Sequence, residues 1–227
     1  MPESEIKAAV RWKLKDILNF PLEQATVDVI NIPTDQNAPG RARFVYAVAA
    51  RNEVIKRCVD NSQAAGVDLE VIDIPEMAQR NIATFLEESG RGVALLTFND
   101  DGGLLTFTAG GELYHARQIE LTAPQFVVED AAQRQRNFER LGLVLQRSFD
   151  SFERQLNYIT LARLVLGPML GQSALEEYLR ANLDIPVVSL DLTEVVNFAA
   201  VKGLNDPAMQ AQCLHAIGAA LREEGGT

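Results

Sequence analysis

The sequence predicts an α/β protein in which helices cover a sheet, and three observations lead there. Residues 92–121, GVALLTFNDDGGLLTFTAGGELYHARQIEL, carry apolar runs at 93–98 and 104–108, then an alternating run through Leu113, His115, Arg117, Ile119 and Leu121. Turns at 99–103 and 110–111 separate the runs, and Asp-Gly and Gly-Gly pairs are hairpin signals because glycine reaches φ > 0 without steric cost. Helix-and-strand patterns precede this meander, and a strand, a glycine turn and a helix follow it. Alternation of that kind builds one sheet with helices packed on it.

Taken in order, residues 3–18 place Ile6, Val10, Leu14, Ile17 and Leu18 on one face of a helix that Ser4 is positioned to cap. Its other side carries Lys7, Arg11, Lys13 and Lys15 beside Trp12. That pattern fits a membrane-surface helix or, as the commoner case, a solvated face above a packed apolar stripe. Residues 25–32 and 43–50 are rich in Val, Ile, Phe and Tyr and read as strands joined by a Pro/Asn/Gly-rich loop over 33–40. A second helix over 51–65 is ended by Gly66, the residue of choice for a left-handed cap. A strand over 67–72 leads to a third helix, 75–88, opened by Pro75 where a missing N–H costs nothing. Polar residues 87–91 are the expected boundary between two lobes.

Beyond the meander, 124–157 reads as one long helical region with a break near Gly142. Its second part sets Leu141, Val144, Leu145, Phe149, Phe152 and Leu156 at helical spacing. A strand at 161–166 meets the turn Gly167, Pro168, Met169, Leu170, Gly171. A helix at 172–182, a strand at 187–190 and a short connection follow. A helix over 207–224 closes the chain, with Met209, Cys213, Leu214, Ile217 and Leu221 on its apolar face.

Composition narrows the function. The 227 residues are 47% hydrophobic and 23% charged, ordinary for a globular protein with a sizeable core. Lys plus Arg number 21 against 31 Asp plus Glu, a net charge of −10 that argues against nucleic acid as a partner. Two isolated cysteines, Cys58 and Cys213, predict a reducing compartment and no disulfide framework. No apolar run approaches the roughly 18 residues of a membrane span, and no signal-peptide pattern opens the chain, so a cytoplasmic location is expected. His115 and His215 lack metal-ligand spacing and read as packed histidines. Ser148 and Ser173 lack a nucleophile elbow. Glu176–Glu177 and Glu223–Glu224 are neighbours in sequence and do not share a helix face. No hydrolase or transferase site emerges.

Several stretches, in order, resemble the PilM/MshI family of type IV pilus biogenesis proteins. They are ESEIKAAVRWKLKDILNFPLEQATVDV, YAVAARNEVIKRCVDNSQAAGVDLEVIDIPEMA, GGELYHARQIEL, LQRSFDSFERQL, LVLGPMLGQSALEEYLRANLDIPVVSLDL and AIGAALRE. The meander looks more like the MshI branch, which serves the mannose-sensitive haemagglutinin (MSHA) pilus, than PilM proper. The resemblance implies a partial actin-like, ribonuclease H-like fold of the FtsA kind. Residues 1–74 would be a small inserted α+β subdomain, 75–91 a connecting helix of the first lobe, and 92–227 the second lobe. It also implies that the family's first phosphate-binding hairpin, and the subdomain carrying it, lie upstream of this chain.

Actin-like ATPases hold Mg-ATP with an Asp-x-Gly turn at the first hairpin of the second lobe, followed by a hydroxyl residue. The carboxylate orients the metal and its water, and the glycine exposes backbone N–H groups to phosphate. Counted back from Gly111, the aspartate position falls on Thr97, the glycine on Asn99 and the hydroxyl on Gly103. Asp100 and Asp101 lie just beyond, as expected of an exposed acidic turn. The paired glycines of the adenosine turn become Gly167–Pro168, with Gly171 retained. Thr97, Asn99, Gly102, Gly103, Gly167, Pro168 and Gly171 are thus the expected equivalents of a degenerate nucleotide site. No cofactor, metal or ATPase activity is expected; Mg-ATP binding is the alternative. The resemblance implies a cytoplasmic scaffold at the inner membrane that binds the tail of a PilN/MshJ-type membrane protein. An ATP-dependent switch in pilus assembly is the rival reading.

Overall fold

The computed structural model describes residues 3–34, 44–198, 201 and 203–222. The chain separates into two compact units, Met1–Asp73 and Ile74–Thr227. The division falls at Asp73, and the polar stretch 87–91 lies inside the second unit.

In the first unit, α1 (Glu3–Leu14) packs on an antiparallel pair, β1 (Ala25–Asn31) and β2 (Val45–Arg51), and α2 (Asn52–Ala64) follows directly. Leu14, Ala25 and Val27 form its small core, with Val10, Leu18, Phe20, Leu22 and Ala49 against them. β1 alternates buried and exposed residues, as a strand with one covered face must. Lys7 Nζ donates to Asp28 Oδ1 at 2.8 Å across the helix–strand contact. The Arg51 guanidinium lies 4.2 Å from the centre of the Phe20 ring. α1 stops at Leu14, short of the expected Leu18, and Ile17 is solvent-exposed. Gly66 has φ of +67°, and Val67 N donates to Ser62 O at 2.9 Å, closing α2 with the expected glycine cap. The expected strand over 67–72 does not form. Val67, Leu69 and Val71 alternate correctly with Asp68 and Glu70, yet no described strand pairs with them and they remain exposed. The Ser4 cap, most of the loop 33–40, Arg43 and Glu223–Glu224 lie outside the residues whose placement or side chains are described.

The second unit is one mixed sheet with helices on both faces. The meander strands are β3 (Gly92–Phe98), β4 (Gly103–Ala109) and β5 (Glu112–Ile119); β6 (Leu161–Leu166) and β7 (Val187–Ser189) complete the order β5-β4-β3-β6-β7. The meander is antiparallel, and β3, β6 and β7 run parallel. α3 (Pro75–Thr84) and α6 (Pro207–Ala220) cover one face, meeting Val93, Leu95 and Val165. α4 (Ala131–Gln155) and α5 (Gln172–Asn182) cover the other, meeting Ala94, Leu96 and Leu164. β3 is buried throughout, which is why it reads as a continuous apolar run.

Helical boundaries in this unit differ from expectation, and α6 ends at Ala220, short of 224. α4 starts at Ala131, because Asp130 Oδ1 accepts from Ala132 N and Gln133 N as an N-cap. Before it, Ala123–Phe126 makes a separate 3-10 turn closed by a Thr122–Gln125 capping box. α4 also runs unbroken through Gly142, where a Cβ would stand 3.4 Å from the Tyr178 hydroxyl. That glycine faces α5 and marks no break. α3 ends at Thr84 rather than Glu88.

Candidate functional site

The parallel strands β3 and β6 end at a cavity of about 320 Å³, where ligands commonly bind in open α/β sheets. Its walls are the β3–β4 hairpin, the start of α3 at Pro75, Gln118 of β5, Pro168 after β6, and Ala211, Gln212, Leu214 and His215 of α6. Of the expected site residues, Thr97, Asn99, Gly102, Gly103 and Pro168 line it together, and Asp101 joins them. Gly167 is adjacent: a Cβ there would meet Thr97 Cγ2 at 2.8 Å. Gly171 is not part of the cavity. It caps α5 with φ of +71° and packs against Val127.

The hairpin turn is tied to itself. Asn99 Oδ1 accepts from Asp101 N and from Gly102 N, both at 2.9 Å. Asn99 N donates to Gly102 O at 2.9 Å, and Asn99 O accepts from Ala123 N at 2.8 Å. Asn-x-x-Gly closes such turns because the short amide reaches its own backbone. The two glycines serve packing: a Cβ on Gly103 would collide with the Phe98 ring, and one on Gly102 would stand 2.9 Å from Ile119 O.

Thr97 is buried, and its hydroxyl donates to Gln79 Oε1 at 2.9 Å. Gln79, fully buried on α3, donates through Nε2 to Leu95 O at 2.6 Å, Thr106 Oγ1 at 3.0 Å and Leu104 O at 3.2 Å. One amide therefore joins α3 to β3 and β4 beneath the cavity. Gln118 Nε2 reaches Glu76 Oε1 at 3.3 Å on the rim. Burial lowers the His215 pKa from the ordinary 6.5, with the Glu76 carboxylate opposing. His215 Nε2 is buried without a hydrogen-bond partner.

The other residues singled out by sequence sit elsewhere. His115 packs near Phe107, with ring centres 5.6 Å apart, and burial followed by Arg117 lowers its pKa. Ser148 Oγ donates to Val144 O at 2.6 Å and accepts from Arg117 Nη1 at 3.0 Å, a packing role. Among the described residues no cluster of three His, Cys, Asp or Glu side chains is placed to hold a metal. Sequence reasoning missed Gln79 and His215 as parts of this site. Gln79 was detectable in principle, as a polar residue among Ala78, Ile82 and Ala83 on the covered face of α3.

The sheet order, three meander strands followed by two parallel ones with helices on both faces, defines a mixed α/β fold of the helix-covered-sheet class that the sequence predicts. The chain shares its fold with a chain of the solved structure described as "PilM-PilN type IV pilus biogenesis complex". The TM-score is 0.71 at 21% identity, over 97% of this chain and 73% of that one. A protein of Bacteroides thetaiotaomicron VPI-5482, described as having an actin-like ATPase fold and unknown function, aligns with a TM-score of 0.47 at 13% identity. That alignment covers 91% of this chain and 65% of the other, a likeness too slight to carry weight. No protein-family model and no curated protein sequence matches the chain.

Proposed function

We propose that the chain is a scaffold of a type IV pilus inner-membrane platform, of the MSHA type, that docks the cytoplasmic tail of a PilN/MshJ-type membrane protein. The observation that carries this reading is the fold shared over 97% of the chain with a chain of a PilM-PilN complex. The motifs quoted above and their order support the PilM/MshI family, and the meander over 92–121 supports the MSHA branch. On this reading the protein works at the cytoplasmic face of the inner membrane, held there by its partner. Among the described residues no helix is long and apolar enough to cross a membrane.

The hairpin chemistry favours a scaffold over an ATP-driven switch. An Mg-ATP site needs a carboxylate for the metal and unpaired N–H groups for phosphate. At the carboxylate position stands Thr97, its hydroxyl given to Gln79, and the N–H groups of Asp101 and Gly102 are given to Asn99. Pro168 has no N–H to offer. These residues do not fit Mg-ATP in the expected frame, which supports a degenerate nucleotide site without ATPase activity. The switch reading retains one observation in its favour: Asp101 faces a cavity at the ends of parallel strands.

The test is titration of a fluorescent peptide, copied from the membrane partner's cytoplasmic tail, into the chain with and without Mg-ATP. Saturable binding that nucleotide leaves unchanged is expected. No binding at about 100 μM peptide, or an affinity that shifts tenfold with Mg-ATP, would overturn the reading.

A further inference from the structure

A second cavity, of about 680 Å³, opens in the second unit where β6 begins, at the end of the sheet opposite the Thr97 hairpin. It lies among the last turns of α4, the connection into β6 and the loop between α5 and β7. Its apolar lining includes Phe149, Ile159, Leu161 and Ile185, and Phe149 is held edge-on against Phe107 with centroids 5.6 Å apart. Asp150, Glu153 and Asp184 line it as well, all solvent-exposed.

These three carboxylates make no direct ion pair, although Arg147 and Arg154 flank Asp150 and Glu153 along α4. Among the described residues none of them has an ion-pair partner, whereas nearby Glu88 holds Arg91 at 3.1 Å and Glu176 holds Arg180 at 2.6 Å. Arg91, on the same wall, has its guanidinium occupied by Glu88 and by the Leu161 carbonyl, 3.1 Å away. Position makes the charge more unfavourable. Glu153 sits in the last turn of α4, and Asp184 follows the C-terminus of α5, where helix dipoles already favour positive charge. Asp150 and Glu153 also repel at i,i+3 spacing. A cation seated there would meet three negative groups over an apolar floor.

We propose that this groove docks a lysine- or arginine-bearing segment of a partner protein, its apolar side chains on the Phe149–Ile185 floor and its cations at the rim. The charge pattern selects the occupant: a basic segment satisfies the rim, and a cation above the Phe149 ring gains further attraction. The inference stands on the groove alone and is independent of the pilus reading.

Fluorescence anisotropy of the full chain with a short labelled peptide alternating lysine and leucine tests it, with glutamate replacing lysine in a control peptide. The expected result is saturable binding of the lysine peptide only, weakened about tenfold by Asp150→Asn, Glu153→Gln and Asp184→Asn together, as three exposed pairs would give. Asp100→Asn with Asp101→Asn, in the distant hairpin, should leave binding intact. Equal weakening by both sets would mean attraction to net charge alone and would overturn the proposal, as would binding of the glutamate peptide or no binding at all. Self-association in sedimentation, abolished by the triple substitution, would assign the groove to a second copy and equally overturn it. All the substituted side chains are exposed, and circular dichroism confirms that each variant is folded.

Discussion

Replacing Gln79 by leucine tests whether the Thr97 position is structural. Leucine nearly conserves the volume, so the loss is hydrogen bonding: Gln79 serves Thr97, Thr106 and the carbonyls of Leu95 and Leu104. Thr97 and Thr106 are 6% and 0% exposed, so water is a poor replacement for the amide. An orphaned buried group costs about 1–3 kcal/mol, and two hydroxyls at the lower middle of that range give about 3 kcal/mol. For a chain of this size each kcal/mol moves the melting point by about 2–4 °C, so Gln79→Leu should lower it by about 6–12 °C. Adding Thr97→Val removes one orphan, so the double variant should recover about 1 kcal/mol relative to additivity. Thermal and urea melts followed by circular dichroism measure both quantities. A fall below about 2 °C, with strictly additive effects, would refute the account of Gln79 as the buried link and would leave the Thr97 hydroxyl available to a ligand.

Three further outcomes are expected. Gly218→Ala should destabilise by about 1–3 kcal/mol in urea melts, because a Cβ there collides with the Ala78 carbonyl where α3 and α6 touch and Asn81 Nδ2 donates to Gly218 O. Asn99→Ala should cost about 1–2 kcal/mol by leaving the hairpin N–H groups without their acceptor, measured in the same way. Burial lowers the pKa of both His115 and His215 in the folded chain, so the unfolded chain binds protons first as pH falls. Stability from these residues is therefore full above the unfolded value of about 6.5 and declines as pH drops from there toward the lowered folded values. Denaturation midpoints of His115→Gln with His215→Gln should show a flatter profile over that window than the parent chain.

The second unit was largely legible in the sequence because its signals are local. Gly110 and Gly111 adopt φ of +58° and +77° at the predicted hairpin, and α5 has its predicted bounds because Gly171 and Asn182 flank a single apolar stripe. The misreadings arose where the deciding partner is distant in sequence. Val67, Leu69 and Val71 have strand periodicity, but periodicity cannot supply a neighbouring strand. Gly142 reads as a helix break in sequence, yet α4 runs through it with Tyr178 of another helix alongside. At the candidate site, the departures at Thr97 and Asn99 could be read from spacing. Their replacement bonds could not, since Gln79 lies 18 residues from Thr97 and the Asn99 amide turns back on its own hairpin. Gly171, expected as an equivalent within the degenerate nucleotide site, has a φ and a contact with Val127 that serve the start of α5.

The measurement that bears most directly on the scaffold account is calorimetric titration of Mg-ATP into the folded chain and into a version extended with any upstream coding sequence. The account predicts no binding heat in either, with the tail peptide of the membrane partner still bound. Micromolar binding of Mg-ATP that Asp101→Ala weakens would contradict it and make the protein a nucleotide switch.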